Sequence, residues 1–102
     1  MEKRRAVRIQ SYRDLEVWQI AIELTCEVYR LTASFPRAEL YALTDQLGRA
    51  SVSVGSCIAE GHGGGTRKEY KRLVCKARGS ALEIEVQLLI AELVGYVTAD
   101  EL

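Results

Sequence analysis

The chain has 102 residues, 48% of them hydrophobic and 27% charged, with 14 basic residues offset by 14 acidic ones. That length suits one domain that buries about two-thirds of its unfolded surface without disulfides. A formal charge of zero argues against bulk affinity for nucleic acid but permits a local patch, and no apolar run approaches the roughly 18 residues of a membrane span.

Residues 1–10 carry Lys3, Arg4, Arg5 and Arg8 against Glu2, which reads as a mobile basic tail. They lack the apolar stretch of a secretory signal. Residues 11–102 read as the folded domain. Ser11 and Asp14 form a capping-box pattern that opens a first helix, expected to run to about Ser34 before Pro36 stops it. Its wheel is apolar over most of its circumference. Leu15, Trp18, Ile22, Cys26 and Tyr29 cover one sector; Val17, Ile20, Ala21, Leu24, Val28 and Leu31 cover another. Glu16, Gln19, Glu23, Glu27 and Arg30 are confined to an arc of about 80°. A helix this apolar is buried on two sides, and in a short chain the second side is expected to meet another subunit. Val17, Ile20, Leu24, Val28 and Leu31 are the expected homo-oligomer interface. Singly tolerated surface apolar residues are the simpler alternative.

A second helix is expected over about residues 39–60, with Leu40, Leu43, Leu47, Val54 and Ile58 apolar and its latter half rich in Gly, Ala and Ser. Gly48 and Gly55 each cost about 1 kcal/mol relative to Ala in a helix. Close approach of a neighbouring helix would offset that cost; a kink at Gly55 is the alternative. A loop of Gly61, His62, Gly63, Gly64 and Gly65 follows.

The third helix, over residues 66–95, is the longest. Thr66 with Glu69 is a second capping-box pattern, and Gly95 stands where a left-handed C′ residue ends a helix. With Lys68 at zero on the wheel, Leu73, Ala77, Ile84, Leu88 and Ala91 fall between about 140° and 200°, with Tyr70 beside them. Lys68, Arg72 and Lys76 lie opposite, flanked by Arg67, Lys71 and Arg78. Gly79 in mid-helix is expected to pack closely on the small residues of the second helix. Thr98 and Glu101 form a third box, where a fourth helix begins as the sequence reaches Leu102. The pattern is all-α, with short connections that favour an antiparallel up-and-down four-helix bundle.

Few residues suggest chemistry. Cys26, Cys57 and Cys75 lack CxxC spacing and sit among apolar residues, so buried reduced thiols and a cytoplasmic location are expected. His62 has no companions at metal-ligand spacing, and no metal, cofactor or small-molecule substrate is expected. Glu60, Glu83 and Glu85 have nothing to fix them near a nucleophile, and the serines lack the G-x-S-x-G elbow. No catalytic set emerges, and the protein is expected not to be an enzyme. The glycine loop before Arg67 could hold an anion at a helix N-terminus, though an interhelical turn is the simpler reading. The basic face formed by Arg67, Lys68, Lys71, Arg72 and Lys76 is the best functional lead, because such residues neutralise phosphates without reading sequence. Against it stand the lack of interleaved aromatics and the chance that the arc pairs with Glu16, Glu23 or Glu27.

Several stretches occur in a familiar order. They are residues 14–18 (Asp-Leu-Glu-Val-Trp), 29–32 with Phe35 and Pro36, 43–47 with Arg49 and Ala50, 58–61 (Ile-Ala-Glu-Gly), and 77–80 with Glu83. Over about residues 11–102 the chain resembles the four-helix-bundle family of 23S rRNA intervening-sequence proteins. The resemblance implies a bacterial, cytoplasmic four-helix bundle, commonly a homopentamer, with nucleic-acid binding proposed and no catalytic residues to carry over. The chain departs from the family pattern at Cys57, where Asn is common, at Gly55, where Pro is frequent, and at Gly48, where a basic residue is common. Binding of RNA or a nucleoprotein partner by the basic helix face is thus the expected function. A scaffold or protein-interaction module without a nucleic-acid role is the alternative.

Overall fold

The computed structural model describes residues 9–102, so all of the expected basic tail but Ile9 and Gln10 lies outside the described residues. Three helices carry the fold: α1 (Glu16–Thr32), α2 (Leu43–Gly63) and α3 (Arg67–Leu93). Among the described residues there is no strand. The fold is all-α, and where a fourth helix was expected there is a single 3-10 turn, Ala99–Glu101, after Thr98.

The capping signals work, but two of them cap something shorter than expected. Ser11 and Asp14 form their reciprocal box around a 3-10 turn, Tyr12–Asp14, and α1 proper starts at Glu16 after an extended Leu15. The Tyr12 ring meets Trp18 edge-on at 5.1 Å, which ties the turn to α1. α2 starts at Leu43 rather than near Glu39, because Pro36 leads into another 3-10 turn, Arg37–Glu39. The Leu43 N–H donates to the Glu39 carboxylate (3.2 Å), a cap supplied from four residues upstream. Thr66 caps α3 as expected, accepting from the Glu69 N–H at 3.1 Å. Glu69 does not complete the box, since its carboxylate turns to Arg72 instead. At the other end Gly95 takes φ +88°, with Tyr96 N–H donating to the Ala91 carbonyl (2.8 Å) and Gly95 N–H to that of Glu92 (3.0 Å). This is a Schellman termination, and only glycine adopts that φ without strain.

α2 lies in the middle, packed on α1 along one side and on α3 along the other, while α1 and α3 scarcely meet. Both pairs are antiparallel. Thr25 meets Ser51 and Tyr29 lies beside Gly48, while Ile22 and Trp18 lie beside Gly55; Ser80 meets Ser53, and Tyr70 and Leu73 lie beside Gly61. The result is a layer about one helix and a half thick, 45 × 34 × 17 Å.

The small residues of α2 explain how the layer closes. A Cβ built on Gly55 would lie 3.2 Å from Ile22 Cδ1, and one on Gly61 would lie 3.1 Å from Tyr70 Cδ1. Ser51 is fully buried; its hydroxyl donates to the Gly48 carbonyl (2.9 Å), and its own carbonyl accepts from Thr25 Oγ1 (2.9 Å). On the other side Ser80 Oγ donates to Ser53 Oγ at 3.0 Å. These hydrogen bonds satisfy polar groups that would be costly to bury alone. Leu47, Val54, Cys57 and Ile58 of α2 join Ala21 and Val28 of α1 and Leu73, Ala77, Ile84 and Ala91 of α3 in the core. Phe35 and Val97 close one end, with the Tyr96 ring tilted against Phe35 at 5.4 Å and its hydroxyl donating to Glu39 Oε2 at 2.8 Å.

Three expectations need correction. Of the cysteines only Cys57 is buried; Cys26 and Cys75 are exposed, because the lines facing α2 run through Ala21 and Val28 on α1 and through Leu73 and Ala77 on α3. Gly79 does not pack on α2: it is exposed, and a Cβ there would meet nothing within 4 Å. Finally, α2 sits at the boundary between the two apolar sectors of α1 rather than covering one of them. Both sectors therefore keep exposed residues, Ile22 and Tyr29 on one and Val17 and Ile20 on the other.

Candidate nucleic-acid interface

The basic face is built by the first three turns of α3. The turn before it is set by glycine: Gly64 N–H donates to the Gly61 carbonyl (3.3 Å), and Gly65 adopts φ +84°. This reverses the chain so that α3 starts beside the end of α2. Arg67, Lys68, Lys71, Arg72 and Lys76 are all exposed, on the side of α3 turned from the Leu73–Ala77 line that meets α2. The five expected residues are thus all exposed along the first three turns of α3, with Arg67 and Lys76 at the two edges of the arc.

They are not equivalent. Arg72 grips Glu69 with two parallel hydrogen bonds, Nε to Oε1 at 2.8 Å and a terminal nitrogen to Oε2 at 2.9 Å. Those bonds hold the Glu69 carboxyl below its usual range and raise Arg72 further above its own. Arg72 is thus largely neutralised locally. Arg67, Lys68, Lys71 and Lys76 make no ion pair with a described residue. The other ion pairs among described residues, Arg30 with Glu27 and Arg49 with Asp45, also lie within single helices. Neither Lys68 nor Lys76 nor Arg72 engages Glu23 or Glu27, because α2 stands between α1 and α3.

Beside the arc, a shallow hollow is lined by Gly61, His62, Gly65, Thr66, Arg67 and Tyr70, without Glu60 or Glu83. His62 is exposed there. No group of three or more His, Cys, Asp or Glu side chains among the described residues is placed to hold a metal ion. Among the described residues no helix is long and apolar enough to cross a membrane.

A larger concavity lies on one face of the layer, where α1 and α3 flank α2. It encloses about 650 Å³ and is lined by Ile20, Leu24, Val28 and Leu31 of α1, by Leu88 of α3, and by Leu102, with Glu23, Glu27 and Glu101 at its edge. Along the same face, Val17 meets a smaller apolar hollow with Tyr70, Val74, Ala77 and Ala81. The residues expected to form an oligomer interface thus line these hollows. Val17 and Ile20 are 50% and 58% exposed and Leu24 and Leu31 half-buried, whereas Val28 is 3% exposed and belongs to the core. The sequence signal for α1 did not separate Val28 from its neighbours, since all share one sector.

The model of the 23S rRNA-intervening sequence protein family matches residues 13–102, and the chain belongs to that family. No curated protein matches it.

Proposed function

With that membership as premise, we propose that the protein is a non-enzymatic, cytoplasmic helical scaffold that binds RNA or a nucleoprotein partner through the basic face of α3. The observation that supports this most is the set of cations at Arg67, Lys68, Lys71 and Lys76, exposed together and without an ion-pair partner among the described residues. Such a set neutralises backbone phosphates and carries no base readout, so binding is expected to follow shape and charge rather than sequence. Exposed Cys26 and Cys75 suit a reducing cytoplasm.

In this reading the layer is completed on its hollow face. A fourth helix continuing from the Thr98 turn fills the space between α1 and α3 and makes an antiparallel four-helix bundle, and Val17 and Ile20 contribute to contacts between subunits of a homo-oligomer, a pentamer by family likeness. The direct test measures binding of a structured RNA across a salt series, with wild type beside Lys68→Glu/Arg72→Glu/Lys76→Glu. Weaker binding by the variant and a shallower salt slope, by about one unit per lost phosphate contact, are expected. Equal binding by both proteins at every salt concentration would remove the proposal.

A second reading, a protein-interaction scaffold without a nucleic-acid role, is favoured by the local neutralisation of Arg72 and by the extent of exposed apolar surface on α1 and α3. It predicts that RNA of any structure fails to bind at about 50 mM salt, where phosphate contacts are strongest.

A further inference from the structure

Of the three capping-box patterns in the sequence, the structure closes two. The Asp14 carboxylate accepts from the Ser11 N–H (3.2 Å), and that of Glu101 accepts from the Thr98 N–H (2.8 Å). Thr66 has the same extended N-cap backbone and accepts from the Glu69 N–H, but its own N–H has no partner among the described residues. The carboxylate that would take it is held by Arg72 instead. The Glu69 stem already rests on the loop before Thr66: a Cβ on Gly64 would lie 3.0 Å from its Cγ and 3.6 Å from its Cβ. Rotation about the side-chain torsions therefore carries the carboxylate from Arg72 to Thr66 without moving the backbone.

The two positions of Glu69 are closely balanced. The grip on Arg72 is bidentate and charge-assisted, but the side chains of Arg72 and Glu69 are 61% and 41% exposed, and water weakens such a pair. The position at Thr66 offers a free N–H and the positive end of the α3 dipole. A modest competitor for Arg72 is thus enough to move Glu69. Arg72 stands midway between Lys68 and Lys76, each four residues and about 6 Å of helix away on the same row. Neither lysine has an ion-pair partner among the described residues, so a phosphate chain held by both passes over Arg72. A free phosphate has no such hold, and the tethered carboxylate outcompetes it through its effective concentration.

We propose that Glu69 is a latch on the basic face: it occupies Arg72 until a chain of phosphates anchored on Lys68 and Lys76 displaces it, and it then swings to the Thr66 N–H and closes the open box. The ligand class is accordingly a nucleic-acid backbone rather than a mononucleotide or inorganic phosphate. Closing the box also steadies the first turn of α3, so the event that frees Arg72 firms the helix that carries the arc. The ligand half of this inference rests on the RNA reading above. The latch itself does not, because removing Arg72 releases Glu69 with no ligand present.

Amide exchange measured by NMR on the full chain, without RNA, tests the latch. Arg72→Gln should slow exchange of the Thr66 N–H about tenfold relative to wild type, and Glu69→Ala/Arg72→Gln should not. No slowing in Arg72→Gln, or equal slowing in the double variant, overturns the swing. Anisotropy titration with an RNA hairpin tests the displacement. Glu69→Gln should tighten binding at least about fivefold in the wild-type background and no more than about twofold in the Arg72→Gln background. Equal gains in the two backgrounds would reveal a general charge effect and overturn the displacement. Saturating RNA should slow Thr66 exchange in wild type, and inorganic phosphate at the same phosphate concentration should leave it unchanged. Slowing by inorganic phosphate overturns the preference for a chain. Failure of every variant to bind RNA removes the RNA reading and the ligand half with it, while Thr66 exchange in Arg72→Gln still decides the latch.

Discussion

α2 and α3 lie side by side and make opposite use of their side chains. α2 buries eight of its 21 residues, several of them Gly, Ala or Ser, whereas α3 buries five of its 27 and leaves Leu82, Val86, Leu89, Ile90 and Leu93 in the open. Position in the layer accounts for the difference. α2 has a neighbour on each side, and small side chains let both come close; α3 has one neighbour and a far side that meets none of the described residues. Hydrophobicity alone is a poor guide to burial here, and the middle of the layer is set by small residues more than by large apolar ones.

The strongest way to test that contrast is to truncate one apolar residue on each helix. Leu47→Ala removes a side chain with no exposed surface and should cost about 2–5 kcal/mol in urea unfolding. Leu82→Ala, 54% exposed, should move stability of the monomer by no more than about 0.5 kcal/mol. A cost for Leu82→Ala near that of Leu47→Ala in monomer would mean that α3 is buried on its far side within the chain. Next come the glycines. Gly61→Ala places a Cβ 3.1 Å from Tyr70 and 3.3 Å from Leu73, and overpacking of this kind costs about 1–3 kcal/mol. Loss of the Glu39 carboxylate in Glu39→Ala frees the Leu43 N–H and the Tyr96 hydroxyl at once, with a cost of about 1 kcal/mol typical of a lost cap. Gly79→Ala should act in the other direction, stabilising the monomer by up to about 1 kcal/mol, since open space surrounds that position and Ala favours helix.

The smallest effects are electrostatic. Arg72 depresses the Glu69 carboxyl, so the pair contributes above the ordinary carboxylate range and its contribution fades as pH falls through it. A thermal-melt series from pH 7 to pH 3 should show a slightly smaller acid loss in Glu69→Gln than in wild type. At the other extreme, the hydrogen bond to Glu39 and partial burial raise the Tyr96 phenol above its ordinary value. That contribution is complete below the unfolded tyrosine range near about pH 10 and is lost as pH rises through the raised value. Tyr96→Phe should flatten the alkaline limb of the stability profile; an unchanged limb would show that Tyr96 ionises as in the unfolded chain.

The basic arc was legible residue by residue, because five cations at helical spacing share a face wherever that face points. Its internal inequality was not legible: the Glu69 side chain had a choice between capping Thr66 and gripping Arg72, and it took Arg72. The α1 surface was readable only as a sector, which is why Val28 was grouped with Val17 and Ile20 although it alone of the three is in the core.

By itself the sequence determined three of the four expected helices, the start of α3 at Thr66 and its end before Gly95, and the family. Capping and turn signals act over about five residues, and the partners they need are adjacent in the chain. Tertiary structure decided which apolar face turned inward, where α1 and α2 begin, and the exposure of Cys26, Cys75 and Gly79. A helix apolar on two sides has no local reason to prefer one of them. The choice falls to whichever neighbour can approach most closely, and here that neighbour is the small-residue face of α2.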